Sequence, residues 1–243
     1  MIGTSRRGGV LTVELQRPER RNALNAELCR ELRAAVEAAP ADAVRVVVIT
    51  GQGSSFCAGA DLSGDIAATE FPEALVALHR SIETLPIPVV AAVNGPAVGA
   101  GTQLALAADL RVVSPSAFFA IPSTRLAIAV DSWTVRRLTS LAGGGPARTV
   151  LLGAERLTAE EALACGLANR LGEPSDAQEW ADRIATLAPL SLRHLKLVFN
   201  DDGTRAPDTE AQQEAYRAAW ASEDAVEART ARREKRDPVF QGR

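Results

Sequence analysis

Several features that assign a chain to a specialised class are scarce in this sequence. Its three cysteines, Cys29, Cys57 and Cys165, show no CxxC spacing, which argues against a disulfide framework or a zinc site and favours a reducing compartment. The net charge is only −3, so the chain as a whole has no attraction to nucleic acid. No apolar signal segment is present, and no run approaches the ~18 apolar residues of a membrane helix. We therefore expect a cytoplasmic protein with no membrane span.

The remaining composition is that of a folded domain with a substantial core. Hydrophobic residues make up 47% of the 243 residues and charged residues 23%, which is ordinary globular usage. Apolar runs predict strands at 10–15, 44–50, 88–93, 111–114 and 118–121. Helical spacing is predicted between and after them, at 25–39, 73–84, 99–108, 131–141 and 158–171. This alternation predicts an α/β core over 1–175, followed by a helical subdomain over 176–243.

Two loops of small residues follow two of the predicted buried strands. CAGAD (57–61) follows the strand at 44–50, and GPAVGAG (95–101) follows the strand at 88–93. Open α/β sheets bind ligands at the carboxyl ends of their strands, and small side chains let a ligand approach the main chain. Free N–H groups there can hold a developing oxyanion. The alternative is tight strand-to-helix packing, and neither loop has Walker or dinucleotide-fingerprint spacing.

Five motifs, in order, give the sequence a specific resemblance. They are RPERRNALN (17–25), VVVITGQGSSFCAGADL (46–62), PVVAAVNGPAVGAGTQLALAADLRV (88–112), LTAEEALACGLANRL (157–171) and EDAVEARTARREKRDPVF (223–240). Over nearly its whole length the chain resembles the crotonase (enoyl-CoA hydratase/isomerase) superfamily. The resemblance implies a spiral α/β core of ββα units, whose C-terminal helical subdomain mediates assembly into a trimer or hexamer. It also implies a coenzyme A thioester as ligand, with no cofactor and no metal.

The resemblance implies roles for particular residues. The two backbone N–H groups that polarise the thioester carbonyl fall on Ala60 and Ala100. Contacts to coenzyme A fall on four further residues, Ala23, Leu24, Ala58 and Asp61. Two basic residues, Arg20 and Lys235, are the implied phosphate partners, although a basic side chain near a loop is often simply solvated.

The carboxylates of a hydratase are missing from the positions that the resemblance assigns to them. Family hydratases have one glutamate three residues beyond the second amide donor and another about twenty residues later, after a proline. Here Gln103 holds the first position, and Ser123, after Pro122, holds the second. A side-chain amide does not take a proton near neutral pH, and a hydroxyl without an adjacent base does so poorly. Because acid–base catalysis is worth ~10²–10⁴ per group, we expect hydratase activity to be weak or absent.

One acidic residue that could serve instead is Asp131, eight residues after Ser123. In some relatives, the dienoyl-CoA isomerases and aryl-CoA dehalogenases, the working aspartate occupies this position. The alternative is a helix N-cap, because Asp-Ser immediately precedes a predicted helix, and both roles are compatible. Trp133 belongs either to the core or to the wall of an acyl pocket. The two histidines, His79 and His194, lie on predicted helices with no acidic or cysteine residue placed to act with them. We expect each to pack against other side chains or to lie at the surface.

These observations favour a non-hydrating binder or carrier of fatty acyl-CoA. The resemblance is closest to a hydratase-like acyl-CoA-binding protein of mycolic-acid lipid synthesis, so lipid-synthesis enzymes are candidate partners. One alternative is an active isomerase, hydrolase or hydratase that uses Asp131. A second alternative is a structural or interaction protein whose loops are inherited packing.

Overall fold

The computed structural model describes residues 1–62 and 70–242, in which strands and helices alternate before a helical C-terminal part. The strands are β1 (Ile2–Arg7), β2 (Val10–Leu15), β3 (Val46–Gly51), β4 (Val89–Val93), β5 (Ala97–Val98), β6 (Leu110–Val113), β7 (Phe118–Ala120), β8 (Leu157–Thr158) and β9 (Arg170–Leu171). The helices are α1 (Ala26–Ala38), α2 (Glu70–Thr84), α3 (Ala100–Ala107), α4 (Ser132–Ala142), α5 (Gly144–Leu151), α6 (Ala159–Ala164), α7 (Pro174–Ala185), α8 (Pro189–Phe199), α9 (Glu210–Ala221) and α10 (Glu223–Glu234). This is the predicted α/β architecture.

Six of the strands form one sheet in the order β1-β2-β3-β4-β6-β9. The β1–β2 pair is antiparallel, and the other neighbouring strands of this sheet pair in parallel. Every residue of β3 and β4 is buried, because helices cover both faces of the sheet. Their continuous apolar runs are typical of parallel strands in that position. A smaller sheet, in the order β5-β7-β8, lies beside the loops that follow β3 and β4. The carboxyl ends of both buried strands therefore open toward one region.

Helix α7 belongs to the layer that covers the sheet. Its buried residues Ala177, Ala181 and Ile184 pack in one cluster with valines of β2, β3, β4 and β6. The helices that follow α7 begin with α8, whose only buried residue is Lys196. The division of the chain at residue 175, and the assembly role of the C-terminal helices, stay predictions.

The sequence pattern missed elements that are short or polar. The residues of β1, IGTSRR, lack apolar alternation, and the strand forms because it pairs in register with β2, where Ile2 lies opposite Leu15. Helix α5 begins with Gly-Gly-Pro, a sequence typical of turns, so the pattern did not predict a helix there. Asn25 caps α1, since its side chain accepts a hydrogen bond of 2.8 Å from the Leu28 N–H.

His79 lies in the core, in agreement with its predicted packing role. Its ring stacks on Trp133 with centroids 4.9 Å apart, and its Nε2 atom has no hydrogen-bond partner in the described part of the chain. Burial, assisted by the nearby positive charge of Arg205, lowers the pKa of His79 from 6.5 to about 3. The folded state therefore keeps this imidazole neutral across the physiological range.

His79 should make the protein less stable in mild acid. Below pH 6.5 the His79 imidazole binds a proton in the unfolded chain but not in the folded state. The free energy of unfolding therefore falls as the pH drops from about 6.5 toward 3. The contribution of this group between pH 7 and pH 5 is about 2 kcal/mol. Urea unfolding at both pH values should show this loss in the wild type and in the exposed-site control His194→Gln. His79→Phe should remove it, and an unchanged pH dependence in that variant would contradict the assignment.

Candidate functional site

Main-chain hydrogen bonds join three segments at the carboxyl ends of β2, β3 and β4. The Leu24 N–H donates to the Gly59 carbonyl and the Asp61 N–H to the Leu24 carbonyl, both at 2.7 Å. On the other side, the Val98 N–H donates to the Cys57 carbonyl at 2.9 Å. The CAGAD loop is thus held between the segment after β2 and the GPAVGAG loop.

Glycine is required where the two small-residue loops approach each other. Gly59 and Gly99 have φ angles of +104° and +53°, which side chains disfavour. A side-chain carbon added at Gly59 would lie 2.8 Å from the Val98 carbonyl oxygen and 3.8 Å from the Ala100 nitrogen. The residues that follow these glycines, Ala60 and Ala100, are consequently close neighbours.

The backbone N–H groups of Ala60 and Ala100 are free to bind a ligand. Within the described residues, neither donates a hydrogen bond to any protein atom. Ala100 is also the first residue of α3, where the helix dipole adds positive potential. Both residues line the same cavity. One wall of that cavity therefore carries two donors suited to a developing oxyanion.

This central cavity has a volume of about 190 Å³ and a largely apolar lining. The described residues that line it are Ala58, Gly59, Ala60, Leu62, Phe71, Pro72, Leu75, Val76, Val98, Gly99, Ala100, Gln103, Ile121, Pro122, Ser123, Leu126, Ile128, Ala129, Val130, Asp131, Tyr216 and Trp220. Among these residues, only Asp131 and Tyr216 have ionisable side chains. An apolar pocket with a few convergent polar groups is the usual form of a small-molecule site.

Gln103 and Asp131 are bonded to each other at the edge of the central cavity. Gln103 Nε2 donates to Asp131 Oδ2 at 2.9 Å and to Thr134 Oγ1 at 2.6 Å. The Thr134 N–H and hydroxyl donate to Asp131 Oδ1 and Oδ2 at 3.0 and 2.8 Å. Asp131 is therefore both the N-cap of α4 and part of the cavity lining. Its carboxylate accepts three hydrogen bonds in all.

The partners of Gln103 fix which way its amide faces. A carboxylate only accepts hydrogen bonds, so the NH₂ group must face Asp131, and both of its hydrogens are engaged. The oxygen Oε1 receives no hydrogen bond from the described residues. The Ser123 hydroxyl also has no partner there, and Ser123 is a buried residue of the same lining. The positions of the two missing glutamates thus offer an amide acceptor and a hydroxyl.

Arg17 holds the predicted coenzyme A segment in place. Its guanidinium donates to the Ala23 carbonyl at 2.6 Å and pairs with Asp61 at 2.9 Å, and both paired side chains are less than 15% exposed. Leu24, beside Ala23, is completely buried. Asp61 therefore braces the loop through this ion pair. Nothing in the RPERRN pattern distinguishes Arg17 from the other arginines, so sequence reasoning missed it.

The predicted phosphate partners do not line the cavities at this site. Arg20 lies exposed on a 3₁₀ turn (Pro18–Arg20), and Lys235 is the exposed C-cap of α10. Three other arginines, Arg21, Arg125 and Arg156, surround a groove of about 910 Å³ that we call the basic groove. The remaining residues of its lining are Ser54, Ser55, Ala58, Pro96, Val98, Phe118, Ala120, Pro122, Ala154 and Glu155. Because Ala58, Val98 and Pro122 also line the central cavity, the two spaces adjoin.

Trp133 belongs to the core, one of the two places predicted for it. Its indole N–H donates to Glu83 at 2.8 Å, and the Arg205 guanidinium lies 4.5 Å from the ring centroid. Two aromatic residues that the sequence did not reveal, Tyr216 and Trp220 of α9, line the central cavity instead. They stand in an alanine-rich helix without a motif, so no sequence signal connects them to the distant loops.

Other reactive groups are not assembled within the described ranges. No three His, Cys, Asp or Glu side chains there are arranged to hold a metal ion. None of the helices described combines the length and apolarity needed to cross a membrane. Burial raises the pKa of the Cys57 thiol to about 12, which keeps it protonated and unreactive near neutral pH.

Comparison with known proteins assigns the chain to a family. Residues 5–243 match the family model described as enoyl-CoA hydratase/isomerase. A Mycobacterium tuberculosis relative named "Probable enoyl-CoA hydratase echA6" is 54% identical over 242 residues, covering 100% of both chains. The solved structure of carnitinyl-CoA hydratase from Mycobacterium avium is 34% identical, with a TM-score of 0.89 over 100% of this chain and 98% of that one. The chain therefore belongs to the enoyl-CoA hydratase/isomerase family and has the crotonase fold.

Proposed function

We propose that this protein binds fatty acyl-CoA thioesters through the backbone N–H groups of Ala60 and Ala100 and carries out little or no hydration. The observation that carries the proposal is the pair of unengaged amides on one wall of a mainly apolar cavity. A thioester carbonyl offers the acceptor that such donors lack, and an acyl chain suits the apolar walls.

The weak hydration follows from what surrounds the reacting carbons. Adding water across a double bond needs groups that take and return protons. Gln103 presents only an amide oxygen, and Ser123 presents a hydroxyl with no neighbouring base among the described residues. With neither group able to act as a base near neutral pH, a bound enoyl thioester stays intact.

The phosphate-bearing arm of the ligand is proposed to lie in the basic groove. Coenzyme A carries several negative charges, and Arg21, Arg125 and Arg156 supply positive charge around this space. Guanidinium groups bind phosphate in a bidentate manner and remain charged at all physiological pH values. Because the groove adjoins the central cavity at Ala58, one ligand can occupy both. This assignment is an alternative to the predicted phosphate partners Arg20 and Lys235, which lie outside the linings of both spaces.

A second candidate function is an active isomerase, hydrolase or hydratase that uses Asp131. Asp131 lines the cavity and has an ionisable side chain, which is the observation in its favour. Its carboxylate is already bonded to the side chains of Gln103 and Thr134 and to the N–H that it caps, contacts that a structural role alone accounts for. Assembly into a trimer or hexamer, contact with lipid-synthesis enzymes and a cytoplasmic location stay predictions.

Two assays on the purified protein test the proposed function. Calorimetry should show that butyryl-CoA binds and that Arg125→Gln weakens the binding, while the control Arg20→Gln leaves it unchanged. Absorbance assays with 2-enoyl-CoA and 3-enoyl-CoA should show little or no turnover. No binding by the wild type would contradict the proposal. Rapid turnover that Asp131→Asn abolishes would establish the second candidate in its place.

A further inference from the structure

Helix α9 forms one wall of the central cavity but buries little of its own surface against the rest of the protein. None of its residues, all of which are described, is buried. Trp220 anchors it, because its indole N–H donates to the Ala129 carbonyl at 3.0 Å. Before the helix starts, Asp208 pairs with Arg136 at 3.0 Å. These two contacts hold α9 and the residues just before it against α4 and the segment that leads into α4.

Tyr216 lies one helical turn before Trp220 and faces the same way. Residues four apart share one side of a helix, and the two rings have centroids 6.4 Å apart. Both line the central cavity. Asp131 lines the same cavity, and burial together with the negative charge of Asp131 raises the pKa of Tyr216. The ring thus stands in the cavity wall beside the polar cluster.

The volume of the cavity limits what can enter it. A cavity of about 150 Å³ accommodates benzene, so the 190 Å³ here suits a group of about six to eight carbon atoms. A longer chain would have to displace part of the wall. Trp220 is fixed by its hydrogen bond, and the lining residues Leu75, Ala100 and Ile121 are buried in the core. Tyr216 is 38% exposed and is the large side chain of the wall that a small residue can replace with little loss of packing.

We propose that the ring of Tyr216, held in place through Trp220 of the same helix, is the specificity-determining wall that sets the length of the acyl chain this protein accepts. The inference rests on the proposed acyl-CoA binding and adds a chain-length limit to it. Each buried methylene contributes about 0.8 kcal/mol, or roughly a fourfold decrease in Kd. Affinity should therefore rise with chain length until the cavity is full and then stop rising.

The test is calorimetry with saturated acyl-CoA thioesters of 4, 6, 8, 10 and 12 carbons. For the wild type, Kd should fall about fourfold per methylene and then level off at about six to eight carbons. In Tyr216→Ala, the 4-carbon thioester should bind about as it does to the wild type, because it ends short of the ring, and the plateau should move to longer chains. Tyr216→Phe should keep the wild-type profile, since it retains the ring. Arg217→Ala, on the same helix but outside the cavity lining, is the matched control.

The outcomes separate this inference from the proposed function. If the wild type binds but Tyr216→Ala keeps the same plateau, the chain-length role of Tyr216 is wrong while acyl-CoA binding stands. A shift in Tyr216→Phe equal to that in Tyr216→Ala would also overturn the role of the ring. If no thioester binds to the wild type, the proposed function itself fails. Should Tyr216→Ala not fold, Tyr216→Leu replaces it, with a smaller shift expected in the same direction.

Discussion

Replacing Gly59 by alanine is expected to weaken acyl-CoA binding about a hundredfold. The new methyl group would lie 2.8 Å from the Val98 carbonyl oxygen, which forces the two small-residue loops apart. The amides of Ala60 and Ala100 would then no longer point to one place. Two lost hydrogen bonds, at up to about 1.4 kcal/mol each, correspond to a hundredfold increase in Kd. Calorimetry with butyryl-CoA measures this change.

Gly8→Ala is the matched control for this substitution. Gly8 also has a positive φ, +56°, but a side-chain carbon there would have no atom within 4 Å. The control variant therefore carries backbone strain of about 1–2 kcal/mol without any displacement of the loops. We expect it to be less stable than the wild type and to bind with unchanged affinity. Equal losses of affinity in the two variants would mean that general destabilisation, not loop geometry, is responsible.

Restoring the missing acids should produce the largest gain of activity. Gln103→Glu alone would set a second carboxylate against Asp131, at a site where the present contact is 2.9 Å, and two carboxylates so close do not both ionise. Asp131→Asn corrects this, because asparagine also caps helices and its amide can donate to the new carboxylate. Ser123→Glu then adds the second acid to the same cavity. In this triple variant we expect hydration of crotonyl-CoA to rise at least about a hundredfold over the wild type.

Loss of enoyl absorbance measures that activity. The matched control is Gln103→Glu/Asp131→Asn/Ser123→Gln, which has the same size and one acid fewer. It should hydrate at least about tenfold more slowly than the triple variant, since each acid–base group is worth ~10²–10⁴. A triple variant that binds crotonyl-CoA normally yet hydrates no faster than the wild type would show that the missing acids are not what limits the reaction.

The sequence indicated those parts of the site that depend on local pattern. Continuous valine runs marked β3 and β4 as buried strands, and the glycines of the following loops marked close approach of main chains. The positions of Gln103 and Ser123 followed from the resemblance to the crotonase family, whose hydratases have glutamates at those offsets. The structure places both in the lining of the central cavity, together with Ala60, Ala100 and Asp131. Short-range periodicity and fixed offsets suffice for features of this kind.

Features that depend on distant contacts were not predictable in this way. Arg17 reaches Asp61 across 44 residues, and Tyr216 joins Asp131 in one cavity lining from a helix 85 positions further along the chain. Neither contact leaves a periodic signal, because each results from how separate elements pack. The same reasoning applies to phosphate binding, for which Arg20 and Lys235 stay predictions: a basic residue can be counted in the sequence, but which arginines surround one groove is set by the fold.

The most direct test is a crystal structure of the protein with butyryl-CoA bound. The account predicts that the nitrogens of Ala60 and Ala100 both lie about 2.7–3.1 Å from the thioester oxygen, with the butyryl group in the central cavity and no carboxylate in reach of its α- and β-carbons except Asp131. A thioester oxygen that contacts neither amide, or a second carboxylate placed against those carbons, would contradict it.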